Sequence, residues 1–360
     1  MSRARTKIKG IVYLNSRMVR PGFTLFTPVS EQAAYLIDMR GDVVHRWELP
    51  YAPAGGAKLM PDGNLLYMGR LPGTEVADIE GAGGVIQILT PEGAVVWEYI
   101  DPYMHHEPIR LVNGNIVYMK WVPLAAEVSR RVKGGAVNSE CNGIMYEDML
   151  CEINPRKKIV WEWKTSDAVS PEEVERCSVC DRSTWLHMNG ISEMANGNLL
   201  VSYCKASQLA VVSKKSSAFV WRFDPKGELA HQHCATELPG GKILAFDNGL
   251  HPKGYSTEAS RVVEIDPASE RITWAYTGDG KGQLSMYFDS ALYSSCQKIE
   301  HGNVVICEGI SGRIFEINNN GETVWEYVNP FPEANTPASN AVYSAYRYEM
   351  DAPELDKIPF

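Results

Sequence analysis

One short pattern returns along the whole chain and constrains its fold more than any other feature. It is a hairpin in which Asn-Gly, Asp-Gly or a variant of that pair separates two apolar runs. The copies span residues 58–66, 110–117, 193–200, 237–244 and 298–305. Asn-Gly and Asp-Gly between alternating apolar residues favour a β-hairpin, because both central residues of its tight turn must accept a positive φ. The repeat therefore predicts β-strands throughout the chain.

A second repeated element lies between these hairpins and, in most copies, ends in a strand that carries tryptophan. We place its copies at residues 38–47, 90–99, 154–163, 224–231, 266–274 and 318–327. Together the two elements give units of four strands, and such repetition is typical of a β-propeller, whose blades pack face to face around a central channel. A sandwich or two barrels could hold as many strands, but the recurrence of one unit argues against both. The sequence predicts an all-β, six-bladed propeller of four-stranded antiparallel blades, with residues 1–360 forming a single domain.

Two stretches, residues 125–140 and 165–185, lack the repeated pattern. We predict that they are loop insertions on the face of the propeller that carries the functional site, shaping or covering the mouth of the channel, since long connections on a rigid frame often carry function. We also expect the two ends of the chain to close one blade together. Strands near residues 11–26 should then pair close to residues 341–348.

Charge and hydropathy narrow the classes of partner. The net charge is −9 and no basic block is long enough to follow a phosphate backbone, so we expect no nucleic acid. No run reaches the ~18 consecutive apolar residues of a membrane helix, and the basic N-terminus lacks a signal-peptide apolar region. These features favour a cytoplasmic protein without a membrane partner. We predict a small aromatic or sulfur-containing substrate and no cofactor, and the sequence leaves a homo-oligomer open.

Eight cysteines are scattered along the chain, and most are expected to be small buried apolar residues. Cys177 and Cys180 are the exception, because two cysteines separated by two residues suit a metal site or a redox pair. No second such pair exists to complete a four-cysteine zinc site. Burial as apolar residues is therefore favoured here too, with metal or redox chemistry as the alternative.

Aligning the hairpins on their turns brings small and polar residues into register. Seven residues before each turn stand Gly55, His106, Asn189, His233 and Ser294. His187 precedes Asn189 by two residues and so points to the same side of its strand. If these are the innermost strands, His106, His187, Asn189 and His233 converge at one end of the channel and form a catalytic site. A water-filled channel lined by polar residues is the alternative, but only eight histidines occur in the chain. We expect His45 and His251 on the surface or in loops, and interpret His301 as a variant of the turn asparagine.

Three motifs in the chain resemble those of a known protein family. They are His105-His106-Glu107 before a Val-Asn-Gly-Asn turn, His187-Met-Asn189-Gly before Asn-Gly-Asn-Leu-Leu, and Gln232-His233 before Phe-Asp-Asn-Gly249. Over roughly residues 20–350 the chain resembles the bacterial arylsulfate sulfotransferase family. The resemblance implies a six-bladed propeller that moves a sulfuryl group between phenols without a nucleotide donor.

The resemblance also implies roles for single residues. His233 would be the transiently sulfated nucleophile, and His106, His187 and Asn189 would hold the sulfuryl oxygens. Where the family carries an arginine, this chain reads Ser202-Tyr203-Cys204-Lys205. The resemblance thus places Lys205, Cys204 and His105 at the substrate.

Two other functions remain open from the residues. One is a lyase or hydrolase that uses the channel histidines as general acid and base, or as ligands of a metal. The other is a propeller that binds a molecule without catalysis. Metal analysis of the purified protein separates these hypotheses, because a stoichiometric transition metal would contradict the sulfo-histidine and favour a lyase or hydrolase.

Overall fold

A computed structural model describes residues 9–223, 227–252, 259–278, 288–331 and 340–360. These residues form six antiparallel sheets arranged in a ring, which confirms the predicted six-bladed β-propeller. Within the described residues the single α-helix, α1, spans Ala126–Ser129 and lies in the first insertion. No helix in this part of the chain reaches the length and apolar character of a membrane span.

Each blade is described from its innermost strand outwards. The first blade contains β25 (Val342–Glu349), β2 (Gly22–Pro28), β3 (Ala33–Ile37) and β4 (Val43–Glu48), and the second contains β5 (Pro53–Leu59), β6 (Leu65–Arg70), β7 (Gly84–Leu89) and β8 (Val95–Ile100). The third contains β9 (Met104–Arg110), β10 (Ile116–Pro123), β11 (Tyr146–Ile153) and β12 (Ile159–Lys164), and the fourth β13 (Met188–Glu193), β14 (Leu199–Tyr203), β15 (Gln208–Ser213) and β16 (Ala218–Phe223). The fifth contains β17 (His233–Glu237), β18 (Ile243–Asp247), β19 (Arg261–Asp266) and β20 (Arg271–Tyr276), and the sixth β21 (Ser295–Lys298), β22 (Val304–Glu308), β23 (Arg313–Ile317), β24 (Thr323–Val328) and β1 (Gly10–Leu14).

The chain ends join the first and sixth blades. β25, near the C-terminus, is the innermost strand of the first blade and pairs with β2, as predicted. β1 does not join them and instead pairs with β24 at the outer edge of the sixth blade. The ring is therefore closed twice, once beside the channel and once at the rim. This closure also explains why the six blades contain only five copies of the hairpin repeat. The inner two strands of the first blade come from opposite ends of the chain.

The repeated tryptophans join neighbouring blades. The indole nitrogens of Trp47, Trp97, Trp163 and Trp325 each donate a hydrogen bond to a backbone carbonyl in the outer turn of the next blade. His45, predicted to be a surface or loop residue, is half-buried and makes the same kind of contact with the carbonyl of Pro91. Apolar clusters fill the space between each pair of neighbouring blades. The core is thus shared between blades, so no blade buries its apolar face alone.

One predicted repeat copy is wrong. The outer strand of the fourth blade is β16, with Trp221, and its turn begins at Ser213, so the repeat lies before residues 224–231. His231 belongs instead to the approach to β17. The prediction followed the Pro-Lys-Gly of residues 225–227, which has stronger turn chemistry than the Lys-Lys-Ser-Ser sequence that makes the turn. Residues 224–226 lie outside the described part of the chain.

Candidate functional site

The innermost strands enclose a cavity of about 780 Å³ along the axis of the propeller. The positions predicted from the turn alignment all line it, namely Gly55, His106, Asn189, His233 and Ser294. His187 and Cys204 also line the cavity. Six innermost strands meet at this channel, so residues far apart in sequence face one space on a rigid frame.

Irregular strand pairing sets the direction of these side chains. The register shifts between Pro53 and Ala57 in β5, between Met188 and Gly190 in β13, and between His233 and Thr236 in β17. β9 shifts in the same region of its blade. Several residues here have positive φ, and these are His106, His187, Cys234 and Ser294. Bulges bend a strand and re-aim its side chains, which is why they are common beside active sites.

His233 is held in one tautomer. Its Nδ1 lies 2.7 Å from Oδ1 of Asn248 and 3.1 Å from the carbonyl oxygen of His231. The Asn248 amide is itself oriented, because its Nδ2 donates to the carbonyls of Ser290 and Tyr293. Two acceptors therefore face Nδ1 and place the ring proton there. The lone pair is left on Nε2, which has no hydrogen-bond partner among the described residues.

His106 lies against a second, fully buried imidazole. Its Nδ1 is 2.9 Å from Nδ1 of His105, so one of these two nitrogens donates to the other. The His105 ring stacks on Trp121 with 4.2 Å between ring centroids, and its Nε2 lies 3.7 Å from a carboxylate oxygen of Asp148. His105 does not line the cavity, although the resemblance placed it at the substrate. In the structure His105 contacts His106 from outside the cavity lining.

His187 is supported by the second insertion. Its Nδ1 lies 3.0 Å from the hydroxyl of Thr184, and that hydroxyl accepts a hydrogen bond from the ammonium group of Lys205 at 3.0 Å. Lys205 also pairs with Asp181 at 2.9 Å and is buried. It does not line the cavity, so its charge reaches the site through Thr184 and His187. Between the two residues expected at the arginine position, Cys204 is the one that faces the cavity.

Burial keeps the channel histidines neutral. Burial, together with the nearby charges of His233 and Arg70, lowers the pKa of His106 to about 3. Burial lowers the pKa of His233 to about 4, against the raising effect of the hydrogen bond to Asn248. The pKa values of His105 and His187 are also well below the ordinary value, again mainly through burial. Neutral imidazoles offer both a free lone pair and an N–H donor at neutral pH.

These pKa values predict an acid-sensitive fold. In the unfolded chain a histidine binds its proton below about pH 6.5, whereas His105, His106 and His187 stay neutral in the folded protein. At these three positions the unfolded state then binds more protons, so their contribution to stability falls as the pH drops, whereas burial raises the pKa of Asp148 to about 7 and that carboxyl acts in the opposite direction. Between pH 7 and pH 5.5, each of these three histidines should lower the free energy of unfolding by about 1 kcal/mol. Urea unfolding of wild type and His106→Gln at both pH values checks this: the variant should lose less stability on acidification, and equal losses would contradict it.

Asn189, on β13, contacts the segment that leads into the neighbouring strand β17. Its Nδ2 donates to the carbonyl of Gln232 at 2.8 Å, which orients the amide. Its Oδ1 is buried and has no hydrogen-bond partner among the described residues. Such an acceptor is costly to leave unpaired and suits a donor group on a bound molecule.

Other lining residues carried no repeat signal and were not predicted. Arg70, at the end of β6, donates to the hydroxyl of Tyr343 at 3.0 Å. The Glu107 carboxylate accepts hydrogen bonds from the amide of Gly56 and the hydroxyls of Ser344 and Tyr346. The lining thus includes a guanidinium, a carboxylate and aromatic rings. Glu107 lies beside His106 in the quoted motif, whereas nothing in the pattern around Arg70 indicated a site.

Both insertions lie at the histidine end of the propeller. Arg182 in the second insertion pairs with Glu140 of the first and donates to the carbonyls of Val132 and Gly134. Thr184 contacts His187, and Cys180 lies 3.1 Å from Nε2 of His231. Among the described residues, however, neither insertion lines the cavity. They back the wall of the site, whereas the β6–β7 connection is among the connecting segments that reach the cavity, through Glu80 and Gly81.

A family model described as arylsulfotransferase (ASST) matches residues 75–330, about seven tenths of the chain. The matched region includes the four candidate catalytic residues His106, His187, Asn189 and His233. The chain belongs to the arylsulfotransferase family. This confirms the resemblance drawn from the blade motifs. No curated protein matches this arylsulfotransferase-family chain.

Solved structures show similarity to this family member in fold alone. A protein of unknown function from Bacteroides caccae is 12% identical with a TM-score of 0.59, over 91% of this chain and 98% of that one. An inactive variant of virginiamycin B lyase from Staphylococcus aureus, with quinupristin, is 13% identical with a TM-score of 0.50, over 90% and 89%. A streptogramin B lyase structure is 11% identical with a TM-score of 0.50, over 88% and 86%.

Proposed function

We propose that this protein transfers a sulfuryl group from an aryl sulfate to a second phenol through a sulfated His233. The observation that carries the proposal is the pair of acceptors at Nδ1 of His233, which leaves the Nε2 lone pair free in a ring that lines the cavity. Membership of the arylsulfotransferase family supports the same reaction class.

The reaction divides into two displacements at sulfur. In the first, the Nε2 lone pair of His233 forms an N–S bond, the S–O bond to the aryl group breaks, and the phenolate leaves with that electron pair. The ring then carries positive charge, which the Oδ1 of Asn248 and the carbonyl of His231 stabilise through the Nδ1 proton. In the second, the acceptor phenol gives its proton, through solvent, to the phenolate released in the first step and its oxygen forms a bond to sulfur. The N–S bond breaks and its electron pair returns to Nε2, which restores neutral His233.

Donors around the sulfuryl group lower the barrier, because negative charge spreads over its oxygens in the transition state. We assign this role to the N–H groups of His106 and His187, whose rings lie 5.1 Å apart, and to Arg70. A guanidinium offers planar paired donors that suit a sulfuryl group better than a lysine ammonium does. Arg70 lines the cavity, whereas Lys205 is buried behind it. Arg70 is therefore our candidate for the role of the family arginine, whose place in the motif is taken here by Cys204 or Lys205.

The proposed substrates are aromatic because tyrosine rings line the same cavity. Tyr293 and Tyr343 pack edge to face at 5.1 Å between ring centroids, and Tyr346 lies on the β25 side. Aromatic side chains favour offset or edge-on contact with another ring. The unpaired Oδ1 of Asn189 would accept a hydrogen bond from the hydroxyl of the acceptor phenol.

A metal held by the three channel histidines is the less favoured arrangement. Among the described residues, the ligating atoms of His106, His187 and His233 do not come together as a set within 4.8 Å, and another group of side chains does. A lyase or hydrolase that uses the histidines only as general acid and base needs no metal. The following experiment separates that reaction from sulfuryl transfer.

Incubation with a nitrophenyl sulfate in the absence of an acceptor tests the proposal. We expect a burst of about one phenol per chain, and intact mass should show one added sulfuryl group that peptide mapping places on His233. Arg70→Ala should slow the burst, and Arg70→Lys should slow it less. Adding a phenol acceptor should remove the added mass. Phenol release without a sulfated enzyme would overturn sulfuryl transfer through His233 and place the reaction among hydrolases or lyases.

A further inference from the structure

Four metal-ligating side chains meet beside the channel but outside its lining. They are Cys177 and Cys180 in the second insertion, His231 before β17, and His251 after β18. One ligand atom from each lies within 4.8 Å of all the others. The sequence set the cysteine pair aside because no second cysteine pair exists. The structure instead supplies two imidazoles, one of them that of His251, which was expected on the surface or in a loop.

The distances suit a tetrahedral ion. Bonds of about 2.3 Å to sulfur and about 2.0 Å to nitrogen at a tetrahedral angle place those ligands about 3.5 Å apart. The Sγ atoms of Cys177 and Cys180 each lie 3.5 Å from Nδ1 of His251, and Sγ of Cys180 lies 3.1 Å from Nε2 of His231. Two of these distances match the ideal spacing, the third is slightly shorter, and all four ligand atoms lie within 4.8 Å of one another, which suits ligands of one ion.

Charge and softness of the ligands point to zinc. Two thiolates with two neutral imidazoles neutralise a divalent cation, and a tetrahedral set of two sulfurs and two nitrogens suits zinc among common biological metals. Four protein ligands also leave no open position for water or substrate, which is the arrangement of structural rather than catalytic zinc. We propose that Cys177, Cys180, His231 and His251 form a structural zinc site.

The site would join the insertion to the strand that carries His233. His231 and His251 flank the inner hairpin of the fifth blade, and both have positive φ, a strained conformation that persists only where surrounding contacts fix it. The carbonyl of His231 is one of the two acceptors at Nδ1 of His233. A zinc ion on the His231 ring would thus fix the backbone that orients His233, and His231 would act as a positioning residue.

Metal content of the full chain, purified under reducing conditions, tests the site. We expect about one zinc per chain, and less than about a tenth of that in the double variant Cys177→Ser with Cys180→Ser. Cobalt in place of zinc should give the visible bands of a tetrahedral ion with thiolate ligands in wild type but not in the double variant. Cys141→Ser is the matched cysteine control and should keep its zinc.

A second pair of variants distinguishes the loss of a zinc ligand from misfolding of the protein. His251 and His301 are both exposed histidines outside the strands, so both substitutions by alanine should fold. His251→Ala should lose most of its zinc, and His301→Ala should keep it. A reduced protein that neither contains nor takes up zinc would overturn the proposal. Zinc that survives in the double cysteine variant but is lost from His106→Ala would also overturn it, since the metal would then lie in the channel.

The zinc proposal and the sulfuryl-transfer proposal can be contradicted independently of each other. Zinc content does not depend on any reaction at His233, so a protein with one zinc and no sulfated histidine keeps this proposal and loses the other. Total metal alone cannot assign metal chemistry to the channel, and the cysteine variants are needed to locate the ion.

Discussion

His233→Ala should lower turnover on an aryl sulfate by on the order of a hundredfold or more, because a nucleophilic or general-base side chain contributes at least that much. The variant should also lose the sulfated intermediate. His233 is partly exposed to the cavity and bonded through one ring nitrogen, so its removal should leave the propeller folded. Steady-state kinetics and intact mass measure the first two effects, and circular dichroism with a thermal scan checks the third.

Companion variants separate the nucleophile from its neighbours. His106→Ala and His187→Ala should slow formation of the sulfated enzyme without abolishing it, and Asn189→Ala should have a smaller effect. Asn248→Ala removes one acceptor from Nδ1 of His233, so it should lower turnover by less than His233→Ala does. His301→Ala, in the turn between β21 and β22 and outside the cavity lining, is the matched control. Unchanged activity in His233→Ala would refute the site assignment.

The repeat determined both the fold and the channel positions because strand geometry is regular. Each hairpin turn fixes where the strand before it ends, so residues at one distance before the turn reach one height in the channel. Counting back from the turns therefore brought His106, Asn189 and His233 to the cavity. His187 also reached the cavity, from the residue just before β13, where irregular pairing re-aims the side chains.

Residues on connections could not be placed in this way. Arg70 ends a strand, and Gly81 lies in the connection after it, so no turn fixes the distance of either from the channel axis. The cysteine pair meets His231 and His251 only because two loops follow particular paths outside the blades. Lys205 shows a different limit: it stands close to where the motif predicts a cationic group, but its ammonium group turns into the wall to pair with Asp181. Loop paths and rotamers are set by tertiary contacts that the repeat does not encode.

The largest expected effect on stability lies at the joint where the ring closes. Glu316 on β23 of the sixth blade pairs with Arg347 on β25 of the first at 3.0 Å, and both side chains are fully buried. The same carboxylate accepts from Asn303 and from the amide of Arg20, and Arg347 donates to Thr24. The pair thus connects the C-terminal strand, the sixth blade and the N-terminal segment in one network.

Glu316→Gln should destabilise the protein by about 3 to 5 kcal/mol, because it leaves the Arg347 guanidinium buried without a counter-charge. Denaturant unfolding measures this loss. Glu48→Gln is the matched control: Glu48 pairs with Arg46 in the open, so its loss should change stability by less than about 1 kcal/mol. Replacing both partners, Glu316→Leu with Arg347→Met, should cost less than Glu316→Gln alone, since no isolated charge remains. A Glu316→Gln protein as stable as Glu48→Gln would mean that the closure does not depend on this pair and is held by strand pairing and the apolar cluster between the two blades.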